Sequence, residues 1–201
     1  MRKTIMVAAI LLFGVVGHAQ TQDQLWSDLT AGNTRFVAGS LPYNALHQLR
    51  NATAGGQSPP TSILSCADSR VPAEVVFDRS IGELFVVRVA GNVDDTFGNA
   101  SLEYAVLNGW TKLIVVMGHS DCGAVKASLD TPKPGQPTPA LYELILRIRK
   151  SFKNTPSDLR DATVMNINYT ADQLAANPRL QGVTIVKAYY DVATGKVERI
   201  P

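Results

Sequence analysis

Four short runs of apolar and β-branched residues recur along the chain: TSILS at Thr61–Ser65, LFVVRV at Leu84–Val89, KLIVVM at Lys112–Met117 and VTIVKAYY at Val183–Tyr190. Their near-continuous apolar character reads as strands buried on both faces. Helical periodicity fills the intervals. Asn99–Asn108 carries Leu102, Ala105, Val106 and Leu107, with Asn99 as the expected cap and Gly109 as the stop. Leu141–Phe152 places Leu141, Leu144, Ile145, Ile148 and Phe152 at helical spacing, and Ser157–Asn177 is a longer, weaker helical pattern. Strands alternating with helices predict an α/β fold: a single domain with a mostly parallel central β-sheet flanked by helices on both faces. Leu25, Trp26, Leu29, Phe36 and Val37 predict an amphipathic N-terminal helix interrupted near Gly32. Residues 50–60 and 131–139 are rich in turn formers and read as loops, and ATGK at 193–196 reads as a tight turn joining two short strands.

The first 19 residues read differently. Arg2 and Lys3 precede an apolar run from Ile5 to Val16, and Gly17-His18-Ala19 supplies the small residues of a cleavage site. This is the pattern of a secretory signal peptide cut after Ala19, which predicts a periplasmic or secreted protein. The alternative, an uncleaved anchor, would need about 20 apolar residues to span a bilayer. Removing 19 of the 201 residues leaves 182, enough for one domain with its own core. It also removes Arg2 and Lys3, so 17 basic residues then face 17 acidic ones. A neutral chain without a basic run gives no support for a nucleic-acid partner.

Cysteine occurs twice, as Cys66 in SCADSR and Cys122 in GHSDCG. Each stretch begins at the carboxyl end of a predicted strand, where open α/β sheets gather their ligands. Export and a pair of cysteines argue for a disulfide. Two thiolates with His119 argue for zinc, since they complete three of four tetrahedral positions. The other histidines, His18 and His47, lie in the leader and in a loop-like region. Asp68 could approach such a metal or its water, and Arg70 could hold that carboxylate by paired charged hydrogen bonds; the same two residues also suit an ordinary loop-stabilising ion pair.

SCADSRVPAEVVFDRSIGELFVVRVAGNV, followed by SLEYAVLNGWTKLIVVMGHSDCGAVKA, resembles the β-class carbonic anhydrases, and the likeness runs from about Leu25 to about Ile200. The resemblance implies that residues 20–201 form one catalytic domain, that Cys66, His119 and Cys122 bind one zinc ion per chain, and that Asp68 and Arg70 form the family's Asp–Arg dyad. It implies reversible hydration of carbon dioxide to bicarbonate and a proton, through attack by hydroxide generated at the zinc. Gln57, nine residues before Cys66, matches the substrate-binding glutamine of plant-like members, though it would also pass as a loop residue. Phe85 and Tyr104 match aromatic pocket positions and are also plausible core residues. Gly123 matches a position whose backbone amide borders the substrate. Ala90 stands where some members carry a bulkier apolar residue. No group is obviously placed to carry the proton to solvent, and His47 is the nearest suggestion.

The family also implies a homodimer or a dimer of dimers, with the pocket completed across an interface; the stripe of Trp26, Leu29 and Phe36 on the N-terminal helix suits packing on a partner subunit and equally on its own chain. Two other functions compete. One is a hydrolase of another heterocumulene, carbonyl sulfide or carbon disulfide, using the same ligands. The other is a non-catalytic exported domain with a Cys66–Cys122 disulfide.

Overall fold

The computed structural model describes residues 20–40, 46–130 and 138–201, and only the backbone of His47. The predicted signal peptide, the loop reading at 131–137 and the His47 side chain lie outside what is described. In chain order the elements are α1 (Gln22–Val37), α2 (Leu46–Thr53), β1 (Thr61–Ser65), α3 (Ala73–Val76), β2 (Leu84–Arg88), a 3₁₀ turn at Ala90–Asn92, α4 (Thr96–Leu107), β3 (Leu113–His119), α5 (Gly123–Leu129), α6 (Pro139–Arg149), α7 (Leu159–Ala176), a 3₁₀ turn at Pro178–Leu180, β4 (Thr184–Tyr190) and β5 (Val197–Arg199).

The strands form one sheet in the order β2-β1-β3-β4-β5. The first four run parallel, and β5 returns antiparallel to β4. Every residue of β1 and β3 is buried, as their unbroken apolar runs require of strands covered on both faces. On one face Ile63, Leu113, Val115 and Met117 pack with Leu25 and Leu29 of α1, with Ala73 and Val76 of α3, and with Phe77. On the other, Leu64, Ile114 and Val116 pack with Leu102 of α4 and with Ile167, Ala171 and Leu174 of α7. After β1 the chain turns to the α3 face, and after β3 it leads to α7 on the opposite face. The carboxyl ends of these two central strands therefore flank a switch point, where a crevice opens by topology alone.

Several expectations are refined. The strand expected to end at Met117 continues to His119, because β4 keeps pairing as far as His119 opposite Tyr190. The expected break at Gly32 is absent, and α1 runs through it. Gly32 is there for close approach: a Cβ at this position would lie 1.8 Å from the Phe77 carbonyl oxygen. Of the stripe Trp26, Leu29 and Phe36, Leu29 is buried in the chain's own core and Trp26 and Phe36 are partly buried against it. The cap of α4 is Asp95, which accepts from the Gly98 amide at 2.6 Å, so Asn99 lies inside the helix. Gly109 (φ +76°) does end it. Residues 46–53 form a helix that takes in the first part of the expected 50–60 loop. The turn at 193–196 joins a seven-residue β4 to a three-residue β5.

Gly32→Ala tests the α1 contact. Helix propensity alone would favour alanine by about 1 kcal/mol. The clash is with backbone, which cannot rotate away, so a net loss of about 1–3 kcal/mol is expected in denaturant unfolding. A stabilised variant would contradict this packing.

Candidate metal centre

Cys66 follows the last residue of β1, His119 ends β3, and Cys122 is the residue before the first turn of α5. The adjacent parallel strands bring Cys66 beside His119, and a left-handed Asp121 (φ +53°) turns the chain back so that Cys122 faces them. The two Sγ atoms and the imidazole nitrogens converge with all ligand atoms within 4.8 Å of one another, and all three residues are buried. The Sγ–Sγ distance is 3.9 Å and both cysteines are free, far from the about 2.05 Å of a disulfide.

His119 Nδ1 lies 2.8 Å from the Ser120 carbonyl oxygen. A carbonyl only accepts, so Nδ1 carries the proton and Nε2 presents its lone pair. Nε2 is buried without a hydrogen-bond partner. The two thiols share one hydrogen bond. Cys66 is pulled below its ordinary range by its hydrogen bond with Cys122, against the effect of burial, and further by the Gly91 and Asp68 backbone. Cys122 is pushed up by the same hydrogen bond with Cys66 and by burial. The pair thus gives up one proton readily and the second with difficulty, unless a cation compensates the second charge. Two sulfurs and a buried, unpartnered imidazole lone pair are the donor set that zinc selects, and the residues present fit it.

Asp68 and Arg70 stand at the mouth of this trio. Arg70 Nε donates to Asp68 Oδ1 at 2.9 Å and Nη2 to Oδ2 at 2.8 Å, a bidentate pair. The Arg70 amide donates to Oδ1 as well, at 2.9 Å. These contacts, led by the side-chain hydrogen bonds from Arg70, hold the Asp68 carboxyl well below the usual carboxylate range. Asp68 Oδ2 lies 3.9 Å from His119 Nε2. Gly123 opens α5 directly after Cys122 and borders open space, since a Cβ there would meet nothing within 4 Å.

The remaining residues read from the sequence are elsewhere in the chain. Phe85 pairs with Ser62 in the sheet, four residues before Cys66, which puts it about 13 Å away along the strand direction. Tyr104 lies against it, with ring centroids 6.5 Å apart, and is 53% exposed. Gln57 is exposed in the loop leading into the amino end of β1. Ala90 is half-buried at the start of the 3₁₀ turn after β2. Within one chain, then, the trio and the Asp68–Arg70 pair come together, and Gln57, Phe85 and Tyr104 lie toward the other end of the sheet.

Three supports were not evident from the sequence. The Gly91 amide donates to Cys66 Sγ at 3.2 Å. Arg88 spans the loop after β1, with Nε on the Cys66 carbonyl at 3.2 Å and Nη2 on the Asp68 carbonyl at 2.6 Å. Arg70 Nη2 also reaches the Asp121 carbonyl at 3.2 Å. The one hint was the glycine of RVAGNV just past a strand, which marks a special backbone but not its partner.

The family model for carbonic anhydrase matches residues 61–197. Over 186 residues the chain is 37% identical to a carbonic anhydrase of Mycolicibacterium smegmatis, an alignment that covers 86% of this chain and 90% of that protein. Among solved structures, the β-carbonic anhydrase of Coccomyxa in complex with acetazolamide is similar with a TM-score of 0.69 at 25% identity, covering 87% of this chain and 85% of its own. A tetrameric β-carbonic anhydrase of the ascomycete Sordaria macrospora shares the fold with a TM-score of 0.68 at 23% identity, covering 89% and 97%. The chain belongs to the carbonic anhydrase family, in its β class.

Proposed function

We propose that this chain is a zinc carbonic anhydrase that interconverts carbon dioxide and bicarbonate, with Cys66, His119 and Cys122 as the protein ligands of one zinc per chain. The observation that carries this is the buried trio with its unpartnered His119 Nε2, set on the fold of that family. The chemistry a bound zinc supplies is an acidified water, an effect for which carbonic anhydrase is itself the standard example. The chain's own residues do the rest. Asp68, ionised and clamped by Arg70, is a fixed acceptor beside the trio. It orients the hydrogen of a water or bicarbonate oxygen without joining the ligand set. The Gly123 amide, at the open mouth, faces the region a substrate oxygen occupies. Gln57 supports the plant-like subtype.

Gln57, Phe85 and Tyr104 serve the site of a partner subunit. Their distance from Cys66 in the same chain supports this, as does the apolar face of α4, where Phe97 is 83%, Tyr104 53% and Leu107 63% exposed. Two-fold pairing of that face buries it and carries the aromatic residues of each subunit toward the other. The assembly is a homodimer or a dimer of dimers. The sequence of the first 19 residues supports export to the periplasm or beyond.

Stopped-flow hydration of carbon dioxide with parallel elemental analysis tests the function. One zinc per chain and activity are expected, both lost in Cys66→Ser, and zinc affinity should fall in acid because the thiols must be deprotonated to bind. Protein free of zinc, with a Cys66–Cys122 disulfide after chelation under denaturing conditions, would refute the reading. Arg70→Ala should lower kcat/KM about a hundredfold by releasing Asp68 from its orientation. Arg70→Lys should also be poor, since an ammonium makes no paired contact, and Asp68→Asn should keep zinc while losing activity. Near-wild-type turnover and pH profile in Arg70→Ala would reduce the dyad to a loop ion pair. For the shared pocket, inactive Tyr104→Ala and Cys66→Ser subunits are mixed and re-equilibrated. Sites pairing an intact Cys66 with the other chain's Tyr104 should regain activity, and no recovery in verified mixed dimers would place Tyr104 outside the partner's site. Mass spectrometry of the exported fraction should find a chain beginning near Gln20, and an uncleaved cytoplasmic product would contradict export.

A further inference from the structure

The turn after β2 has two successive residues in the left-handed region, Gly91 (φ +69°) and Asn92 (φ +45°). Such a backbone persists only where its surroundings fix it. Two ties are backbone: the Val89 amide donates to the Ser65 carbonyl at 3.0 Å, and the Asn92 amide to the Val89 carbonyl at 2.8 Å. The third comes from a side chain 75 residues away. Asn166 of α7, 1% exposed, donates from Nδ2 to the Gly91 carbonyl at 2.6 Å. Gly91 in turn directs its amide at Cys66 Sγ, at 3.2 Å. It has no side chain with which to hold its own conformation, and one would be strained there by the positive φ, besides bringing a Cβ within 2.7 Å of Ile148 Cδ1.

We propose that Asn166 is a positioning residue of the metal centre: by holding the Gly91 carbonyl it aims the Gly91 N–H at the Cys66 sulfur. This rests on Cys66 being a zinc ligand. Hydrogen bonds that support a ligand from outside the coordination shell fix its orientation and tune its donor strength. Here the support runs from α7 through one glycine to one sulfur. A polar side chain at this core position of α7 is otherwise unfavourable, because burial of an amide is offset only by its hydrogen bond. Among the described residues Asn166 makes no hydrogen bond to Cys122 or His119, so the effect falls on one of the three ligands.

The test compares the full chain with Asn166→Asp, which keeps the shape but sets a carboxylate oxygen against the Gly91 carbonyl, and with Asn166→Ala. Leu174→Val, also buried on α7, controls for a general loss of packing. Zinc affinity is read by chelator competition, and the cobalt-loaded proteins are read by their thiolate-to-metal absorption. Both Asn166 variants should bind zinc about 10–100-fold more weakly with a displaced cobalt band, while Leu174→Val keeps both. Folded Asn166 variants with unaltered affinity and band would overturn the role of Asn166 alone. Failure of the unaltered chain to bind zinc would overturn the metal reading beneath it. Should neither variant fold, hydrogen exchange in the unaltered protein decides: the Asn166 side-chain amide protons should exchange as slowly as the Gly91 amide, and exchange at the rate of an exposed amide overturns the proposal.

Discussion

The Sγ atoms of Cys66 and Cys122 sit 3.9 Å apart in a buried site, beside a His119 Nε2 that faces them with its lone pair. Holding three electron-rich atoms together away from water opposes their solvation and, once the thiols ionise, their mutual repulsion. The rest of the fold bears on how that is done. Cys66 and His119 are neighbours only because β1 and β3 are adjacent, parallel and in register, with Ser65 level with Met117. Both strands are central and fully buried, so the three side chains inherit the rigidity of the core from behind. The loops leaving the two strands turn to opposite faces, so the space ahead of the trio stays open.

Much of this was legible because the relevant signals are local. An unbroken run such as LIVVM, short and rich in β-branched residues, reads as a buried strand, and order along the chain then sets the two cysteine stretches at one rim. Asp68 and Arg70, two residues apart, can pair without help from the fold, and they do. What escaped the reading depends on contacts distant in sequence. Gly32 looks like a break because a glycine within a helical pattern ordinarily weakens it. Its reason is the Phe77 carbonyl, on a segment the pattern of α1 cannot reveal. Asn99 looked like a cap, and Asp95, four residues earlier, has both the extended backbone and the free carboxylate that capping needs. Phe85 and Tyr104 were legible as aromatic residues but not as residues at the far end of the sheet. That is a matter of register, which fixes Phe85 opposite Ser62.

Strain is concentrated at the same rim. Among the described residues three non-glycine positions have positive φ, and two of them, Asn92 and Asp121, adjoin the backbone that meets Cys66 and carries Cys122. Asp121 lies directly before Cys122, and its carbonyl is taken by Arg70. Asn92 lies directly after the Gly91 that serves Cys66. Each cysteine is therefore aimed by a backbone segment that would relax elsewhere if left alone, and each segment is held by a side chain from another element. This is preorganisation in a physical sense: the cost of the unusual backbone is met by the fold, before any ion or substrate arrives.

The Asp68–Arg70 pair extends the same logic to the open side of the site. Arg70 is nearly half exposed, with 46% of its side-chain surface accessible, and an isolated pair so exposed contributes little on its own. Attraction between the two charges is therefore a poor reason for Asp68 to stay away from the trio, which its Oδ2 approaches to 3.9 Å. Geometry is a better one. Both carboxylate oxygens are engaged by Arg70, one of them twice, while Arg88 fixes the Asp68 carbonyl and Arg70 itself is moored to the Asp121 carbonyl. For Asp68 to join the trio, these contacts would have to break together, although each is weak alone. The carboxylate is kept near the site and out of it by the number and directions of its hydrogen bonds, and the guanidinium fork supplies directions that a lysine could not.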